Sequence, residues 1–212
     1  MTPAEASGVV AVSTADRLRA AAEALLLEKG HEATSLRDIT ERAGANVAAV
    51  SYHFGSKDAL LARVYGEVLT EAAAMQRSRL EALPEAASLE ELVRAWLAPA
   101  LDSETTERET RVWALIHRGV AEAAPGMLES LPSLADTVEE HLITRLAAHL
   151  PHLDRAELML RHDAVLAAIG GLIGSSSLSG PSAAGKGREG SDMLVAWVAG
   201  GLRAPSARSA VS

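Results

Sequence analysis

The chain has 212 residues, with 20 Lys plus Arg against 28 Asp plus Glu, and a formal net charge of −8. Its hydrophobic fraction of 48% excludes a disordered chain, and its length predicts one larger or two small coupled domains. The sequence contains no cysteine, which excludes disulfides, thiolate metal sites and cysteine nucleophiles. The longest apolar run, residues 164–174, is shorter than the roughly 18 residues of a membrane span, so no membrane partner is expected. Residues 1–13 lack the features of a secretory signal, and we expect a cytoplasmic protein.

Helical periodicity extends through nearly the whole sequence. Ala and Leu are abundant, apolar residues recur at spacings of three and four, and alternating β-branched runs are nearly absent. The sequence therefore predicts an all-α fold of about nine helices. The first helix is predicted from Thr14, as its N-cap, to Lys29, with Gly30 ending it.

Two short helices around a glycine turn are predicted next. The first covers residues 36–43, with Thr34 or Ser35 as its cap and Gly44 at its end, and the second covers residues 47–54. This arrangement has the geometry of a helix-turn-helix, whose second helix enters the major groove of DNA. Short helix pairs are common, so the geometry alone indicates DNA binding only weakly.

The small core of this motif is predicted to combine Ile39 and Ala43 with Val47 and Val50. Because the neighbours of Val47 are small, the alternative prediction is that its side chain faces the DNA. Phe54 is expected to plug the core.

Longer helices make up the rest of the chain. One is predicted from Lys57 to about Leu83, with Ser56 as its N-cap. A capping box over residues 88–91 opens the next helix, which Pro99 is expected to limit. Further helices are predicted over residues 105–123, 133–149, 154–174 and about 192–203, with Pro132 as a separator and 175–191 as a flexible Ser/Gly-rich loop.

Three sequence stretches carry a family resemblance. They are A-x-x-L-L-x-x-K-G in the first helix, T-S-L-R-D-I-T-E-R-A-G, and N-V-A-A-V-S-Y-H-F-G-S-K-D-A-L-L. Over about residues 14–62 the chain resembles the TetR family of bacterial transcriptional regulators. Looser similarity in S-L-E-E-L, E-L-M-L-R and the final G-G-L-R favours the subgroup that includes fatty-acid-responsive regulators.

The resemblance implies a definite domain plan. It comprises a flexible tail (1–13), a three-helix helix-turn-helix domain (14–56), a larger helical ligand-binding and dimerisation domain (57–203) and a second flexible tail (204–212).

Several of the matching positions suit DNA phosphates. Helix N-termini offer unpaired N–H groups, so the caps at Thr34 or Ser35 and at Ser56 can hold phosphate oxygens. Lys57 adds a cation, and the Tyr52 hydroxyl suits a phosphate oxygen.

Few groups are available to read bases. Arg37 can pair with guanine, Asn46 or Ser51 can reach a base edge, and Ala48 or Ala49 can touch a thymine methyl group. Readout of DNA shape is expected to contribute. The DNA-binding set is Thr34, Ser35, Arg37, Asn46, Val47, Ala48, Ala49, Ser51, Tyr52, His53 and Lys57.

The resemblance also implies a homodimer and a small-molecule cavity in the C-terminal domain. Candidate dimer residues are Val165, Ile169, Leu172, Ile173, Leu194, Trp197 and Val198. Candidate ligand-binding residues are Trp96, Trp113, His117, Met127, Arg161 and His162. The competing interpretation places both tryptophans in the core and pairs Arg161 with Glu157 on a solvated face.

The function expected is a ligand-responsive regulator, a repressor rather than an activator, that binds a palindromic operator as a homodimer. A small, apolar or acyl-type effector is expected to release it. Residues 1–60 carry six basic and eight acidic side chains, which leaves open a helical small-molecule carrier or enzyme that has lost DNA binding. A plain helical interaction module is a third possibility.

No catalytic, cofactor or metal site is expected. The seven histidines lack metal-ligand spacing, and the sequence around Lys186 lacks the hydroxyl residue of a phosphate-binding loop. His162 and Asp163 are expected to point in different directions, because they are neighbours on a helix.

Overall fold

The computed structural model describes residues 12–101, 106–179 and 188–206. Within those residues it contains nine helices and no strand, which confirms the all-α prediction. The helices are α1 (Thr14–Lys29), α2 (Leu36–Ala43), α3 (Val47–Phe54), α4 (Lys57–Ala82), α5 (Leu89–Leu101), α6 (Glu107–Ala121), α7 (Pro125–His149), α8 (Arg155–Ser179) and α9 (Arg188–Arg203). The chain forms two compact units, the first ending at Val64 and the second beginning at Tyr65.

The first unit is organised by its helix caps. Ser13, not Thr14, caps α1, because its side chain accepts a hydrogen bond from the backbone N–H of Asp16. Gly30 ends α1 at φ 86°, and Gly44 ends α2 in the left-handed conformation at φ 59° and ψ 42°. A residue with a β-carbon is disfavoured in that region, so the turn between α2 and α3 depends on glycine.

The core of this unit draws on all four of its helical segments. Ile39 and Ala43 of α2 and Val50 of α3 are buried as predicted, whereas Val47 is 50% exposed and Phe54 is only partly buried. Val47 therefore takes the alternative, outward position. The other buried apolar residues are Leu18, Ala21, Ala22, Leu25, Leu26, Leu60, Leu61 and Val64.

The second unit has a core centred on α5, α7, α8 and α9. The side chain of Trp96 is buried there and stacks on the ring of His162, with centroids 5.0 Å apart. Further core residues are Leu92, Val93, Leu97, Leu142, Ile143, Leu146, Leu158, Ile169, Val195, Val198, Ala199 and Leu202.

The predicted boundaries of α5, α7, α8 and α9 were wrong. Helix α5 continues past Pro99 to Leu101, and α7 begins at Pro125 and passes through Pro132. Proline removes only one helical hydrogen bond, and packing over a long helix can outweigh that loss. Of the predicted flexible loop 175–191, residues 175–179 belong to α8 and 188–191 to α9, while 180–187 lie outside the described residues.

No helix in the described part of the chain is long and apolar enough to cross a membrane.

Candidate nucleic-acid interface

Helix α3 is almost entirely exposed. Of its eight residues, Val50 alone is buried, and the ring of Tyr52 is 85% exposed. Ala49 and Phe54 are half-buried, and the remaining five residues of α3 are exposed. The exposed residues Val47, Ala48 and Ser51 were predicted to read DNA, and they share this surface.

The start of α3 is fixed by Asn46. Its side-chain oxygen accepts a hydrogen bond from the backbone N–H of Ala49 at 2.9 Å. This bond uses the amide oxygen as an N-cap and orients the Asn46 side chain at the edge of the exposed surface.

A shallow groove of about 510 Å³ lies between the start of α1 and α3. Arg17 lines it, and the Nε–H of this residue donates to the Ala43 carbonyl oxygen at 3.0 Å, at the end of α2. The groove is also lined by Thr14, Gly44, Ala45, Asn46, Ala48, Ala49, Tyr52 and His53. Sequence reasoning missed Arg17, although its position one residue before the buried Leu18 could have placed it beside the helix-turn-helix.

Thr34 does not belong to this surface. Its side chain is fully buried, its hydroxyl donates to the Gly30 carbonyl oxygen at 2.5 Å, and its backbone N–H donates to the carbonyl oxygen of His31. The predicted role of Thr34 as a cap that meets phosphate is therefore wrong, and Ser35 caps α2 instead.

Ser35 caps α2 together with Asp38. The Asp38 carboxylate accepts from the backbone N–H of Ser35 at 3.1 Å and forms an ion pair with Lys29 at 2.5 Å. Lys29 and Ser35 lower the pKa of Asp38 to about 2, so this carboxylate is ionised at neutral pH. An ionised carboxylate already occupies the positive end of α2, which weakens the attraction of that end for phosphate.

The start of α4 keeps the predicted arrangement. Ser56 Oγ accepts from the backbone N–H of Ala59 at 3.0 Å, and Lys57 Nζ donates to the Thr34 carbonyl oxygen at 3.2 Å. The Lys57 side chain is 30% exposed. An ammonium group has three donors, so this contact holds Lys57 in place and leaves it capable of further hydrogen bonds.

Two more predicted residues are at the surface. The Arg37 side chain is 86% exposed and lies 3.2 Å from the Glu41 carboxylate, in an ion pair that water screens. The exposed ring of His53 meets that of Tyr52 edge to face, with centroids 4.9 Å apart. The structure thus brings the predicted DNA-binding residues of α3 together and keeps Arg37 on α2 exposed.

Comparison with known proteins agrees with this geometry. Residues 18–64 match the model for bacterial regulatory proteins of the tetR family, and residues 94–201 match the tetracyclin repressor-like C-terminal domain. The chain belongs to the TetR family. TetR regulators are generally non-enzymatic proteins that bind DNA, and repression, homodimers and small-molecule effectors are typical of them.

Solved structures share the TetR fold. A transcriptional regulator from Rhodococcus sp. Rha1 is 24% identical, with a TM-score of 0.64 over 92% of this chain and 100% of that one. GusR from Salmonella enterica is 19% identical, with a TM-score of 0.62 over 90% of this chain and 96% of GusR. PfmR from Thermus thermophilus is 24% identical, with a TM-score of 0.58 over 90% and 100%. No curated protein matches the sequence.

In the C-terminal TetR domain, Arg161 is engaged by the chain's own backbone and by Glu157. Its guanidinium donates to the carbonyl oxygens of Leu202 at 2.9 Å and Ala204 at 2.8 Å, and it pairs with the Glu157 carboxylate at 2.6 Å. Gly201 and Pro205 supply two more carbonyl acceptors. The competing interpretation predicted the pairing of Arg161 with Glu157, but on a solvated face. The ion pair is instead largely buried, and the Arg161 guanidinium fixes the end of α9. Residues 204–206 were predicted as the start of a flexible tail. They are held by these bonds and by the hydrogen bond that Ser206 Oγ donates to the Glu157 carboxylate.

The other predicted ligand residues divide into two groups. Trp96 and His162 belong to the core, and Met127 is fully buried. The core position of Trp96 agrees with the competing interpretation. The Nδ1 of His162 lies 3.1 Å from a carboxylate oxygen of Asp163, so the expectation that these neighbours diverge was wrong. Trp113 and His117 are partly buried on α6 with ring centroids 6.3 Å apart, and burial lowers the pKa of His117.

The predicted dimer residues do not all point outward. Ile169 and Val198 are buried within the chain's own core, Val165 and Leu194 are partly buried, and Trp197 is 60% exposed. The side chains of residues 172 and 173 lie outside the described part. The large apolar side chains that α8 and α9 do expose are Met159, Leu160, Leu166, Met193 and Trp197.

No group of three or more His, Asp or Glu side chains with the geometry of a metal site occurs within the described ranges.

Proposed function

We propose that this protein is a repressor that binds a palindromic DNA operator as a homodimer and is released by a small acyl-type effector. The observation that carries the proposal is the exposed surface of α3, where one residue in eight is buried. A surface helix of a monomer normally buries an apolar stripe, so this exposure needs a partner outside the chain. Together with membership of the TetR family, it favours the major groove of DNA.

DNA recognition is proposed to combine phosphate and base contacts. Tyr52 and Lys57 would hold phosphate oxygens, and Arg17 joins them at the edge of the groove. Val47 and Ala48 would touch thymine methyl groups, the contact that small apolar side chains make with base edges.

The homodimer is supported by the apolar faces of α8 and α9. Leu160 is 68% exposed and Leu166 47%, while Met193 is 63% and Trp197 60%. Met193 and Trp197 are four residues apart and share one helix face. Large apolar side chains exposed on two helices mark an interaction surface, and a second copy of this chain would cover them and pair two α3 helices for a two-fold operator.

Effector control is proposed to act through α4. This helix begins at Lys57, which contacts Thr34 in the first unit, and it continues to Ala82 in the second. A ligand shifts the operator-binding equilibrium only by its differential affinity for the two states, typically worth about 1–3 kcal/mol. The subgroup resemblance in the C-terminal half supports an acyl compound as that ligand.

The test is binding of the purified protein to DNA from upstream of its own gene, with scrambled DNA as competitor. Tyr52→Phe removes only the hydroxyl, so it should weaken specific binding by about 0.5–1.5 kcal/mol per protomer. Arg111→Ala, an exposed arginine of α6, is the matched control and should bind as wild type. Unchanged affinity of both Tyr52→Phe and Tyr52→Ala would remove Tyr52 from the interface.

Salt dependence provides an independent measure. Arg17, Arg37 and Lys57 are the cations beside the exposed surface, and each neutralised phosphate contributes a slope of about −0.9 in log K against log salt. Three cations per protomer predict a slope of about −5 for the dimer. A search of random genomic fragments that yields no specific site would favour the helical small-molecule binder that lacks DNA binding.

A further inference from the structure

The side chain of Asn46 caps α3 with one end of its amide group. The oxygen Oδ1 accepts a hydrogen bond from the backbone N–H of Ala49 at 2.9 Å. Because a backbone N–H can only donate, the atom that meets it must be the amide oxygen and not the amide nitrogen. The cap therefore fixes the orientation of the amide and leaves the nitrogen, Nδ2, as the end that meets a partner.

This nitrogen is available for donation. Asn46 is exposed and lines the groove between the start of α1 and α3, beside Ala48 and Tyr52. No residue in the described part of the chain accepts a hydrogen bond from Nδ2. An amide nitrogen carries two N–H donors and no acceptor, so Asn46 offers two donors to whatever binds in the groove.

The backbone beside Asn46 has the same polarity. Val47 and Ala48 are in the first turn of α3, where backbone N–H groups lack a partner inside the helix. These groups give the start of α3 a partial positive charge. A hydrogen-bond acceptor that approaches Asn46 is attracted to this end of the helix, whereas a donor that approaches Oδ1 meets hydrogens of the same sign.

Asn46 is held in this position by its neighbours in the chain. The Ala49 N–H also reaches the backbone carbonyl oxygen of Asn46 at 3.1 Å, and the N–H of Ala45 donates to the Thr40 carbonyl oxygen at 3.0 Å. A side chain that is already fixed in its binding orientation loses little conformational freedom when it binds. The donors of Nδ2 are therefore well suited to discriminate between partners.

The four bases differ in what they present to such donors in the major groove. Guanine presents two acceptors, O6 and N7, whereas cytosine presents only the N4 donor. Thymine has the single acceptor O4, and adenine has the acceptor N7 beside the N6 donor. The usual pairing of asparagine with adenine needs the amide oxygen as well as the nitrogen, and in Asn46 the oxygen is engaged by Ala49.

Releasing the oxygen from the cap does not favour adenine. Loss of an N-cap costs about 2- to 30-fold in the folding or binding equilibrium, whereas one extra hydrogen bond to adenine N6 contributes about 3- to 10-fold. The two effects cancel to within their ranges. Guanine needs no such release, because both of its groups accept from Nδ2.

We propose that Asn46 is a specificity-determining residue, which selects guanine at one position of each operator half-site by donating from Nδ2 to O6 and N7. In a helix-turn-helix, the N-terminal residues of the second helix contact base edges, and Asn46 lies at that end of α3. This inference rests on the proposed function, and it names the base that the exposed surface of α3 selects.

The test is selection of bound sequences from random DNA by the full chain, followed by affinity measurements on duplexes that differ at the selected position. The wild-type chain should enrich guanine at one position of each half-site. Replacing this guanine with adenine in one half-site should weaken binding about 3- to 10-fold, and replacing it with cytosine about 5- to 150-fold.

Two variants keep the cap and change only the exposed end of the side chain. Asn46→Asp replaces Nδ2 with an acceptor oxygen, so the base enriched at this position should change from guanine to cytosine. Asn46→Ser removes the amino group, and selectivity at this position should fall below about 3-fold. Ser56→Asp adds the same charge at the cap of α4, so it is the matched control and should leave every base preference unchanged.

The principal alternative is that Nδ2 donates to a phosphate oxygen. In that case Asn46→Asp weakens binding to all sequences alike while the base preferences stay those of the wild type, which overturns the inference. Adenine or thymine at the position that responds to Asn46→Asp overturns it as well. A wild-type chain that enriches no sequence removes the proposed function together with this inference, whereas enriched sequences that do not respond to the variants remove the inference alone.

Discussion

Replacing Arg161 should destabilise the second unit. Arg161 lies far along the chain from the exposed surface of α3, so this effect concerns folding of the second unit. The guanidinium reaches four carbonyl oxygens at the end of α9 and the Glu157 carboxylate of its own helix. The Arg161 side chain is 17% exposed and that of Glu157 is 10%. Arg161→Met keeps the apolar stem, removes all these donors and leaves a nearly buried carboxylate without its cation.

The magnitude follows from that burial. Removing one partner of a buried ion pair costs about 3–5 kcal/mol. Since both side chains retain some exposure and water can reach part of the helix end, we expect about 3 kcal/mol. For a unit of this size that corresponds to a fall in melting temperature of about 6–12 °C. The assay is thermal unfolding followed by circular dichroism, with urea unfolding as a second measurement.

The matched control lies on the same helix. Arg155 also forms an ion pair, with Glu140, but the two side chains are 56% and 60% exposed. Arg155→Met should change stability by less than about 0.5 kcal/mol, because exposed ion pairs contribute little. Equal effects of the two substitutions would refute the reasoning, since burial would then not decide the contribution.

Three further predictions concern the second unit. Gly119→Val should cost about 1–3 kcal/mol in urea unfolding, because its β-carbon would lie 3.0 Å from Met127 Cε and 3.1 Å from Tyr65 Cε1, both on fully buried side chains; wild-type stability would show that these neighbours yield. Burial lowers the pKa of His117 below its ordinary 6.5, so the unfolded chain binds the proton more readily. Stability should therefore be complete above about pH 6.5 and fall below it, less steeply in His117→Phe, as melting temperatures between about pH 8 and 5 would show. Trp197→Arg should weaken self-association at least about 30-fold in sedimentation equilibrium, whereas an unchanged dimer constant would place the interface elsewhere.

Local signals were sufficient to predict the first unit. The capping residues, the glycine at φ 59° and the spacing of the apolar residues are all short-range features, and they set α1, α2 and α3 within a residue or two. Thr34 and Ser35 could not be separated on the same basis. Both can cap a helix, and the choice depends on Gly30, whose carbonyl oxygen takes the Thr34 hydroxyl.

In the second unit, the roles of individual polar residues depend on contacts between residues far apart in the sequence. Arg161 lies amid apolar residues, a pattern that suits a ligand anchor as well as a structural cation. Its carbonyl acceptors lie 40 to 44 residues further along the chain, at Gly201 to Pro205, and no local pattern signals them. The same holds for Gln76, whose buried side chain donates from Nε2 to the Trp96 carbonyl oxygen, 20 residues further along the chain.

The electrostatics of the first unit limit how it can bind DNA. Most of its basic side chains are engaged with acidic ones: Arg19 with Asp16, Lys29 with Asp38, Arg37 with Glu41, and Arg42 with Glu28. Arg17 and Lys57 donate to backbone carbonyl oxygens, which fixes their positions, and Lys57 also lies 4.0 Å from the exposed carboxylate of Asp58. Counterion release is therefore confined to the few cations beside α3. Because counterion release carries no sequence information, discrimination between DNA sites must come from the fit of α3 to the groove and from a few well-positioned contacts, and a base-pair mismatch under α3 should cost about 1–3 kcal/mol of binding free energy at every salt concentration.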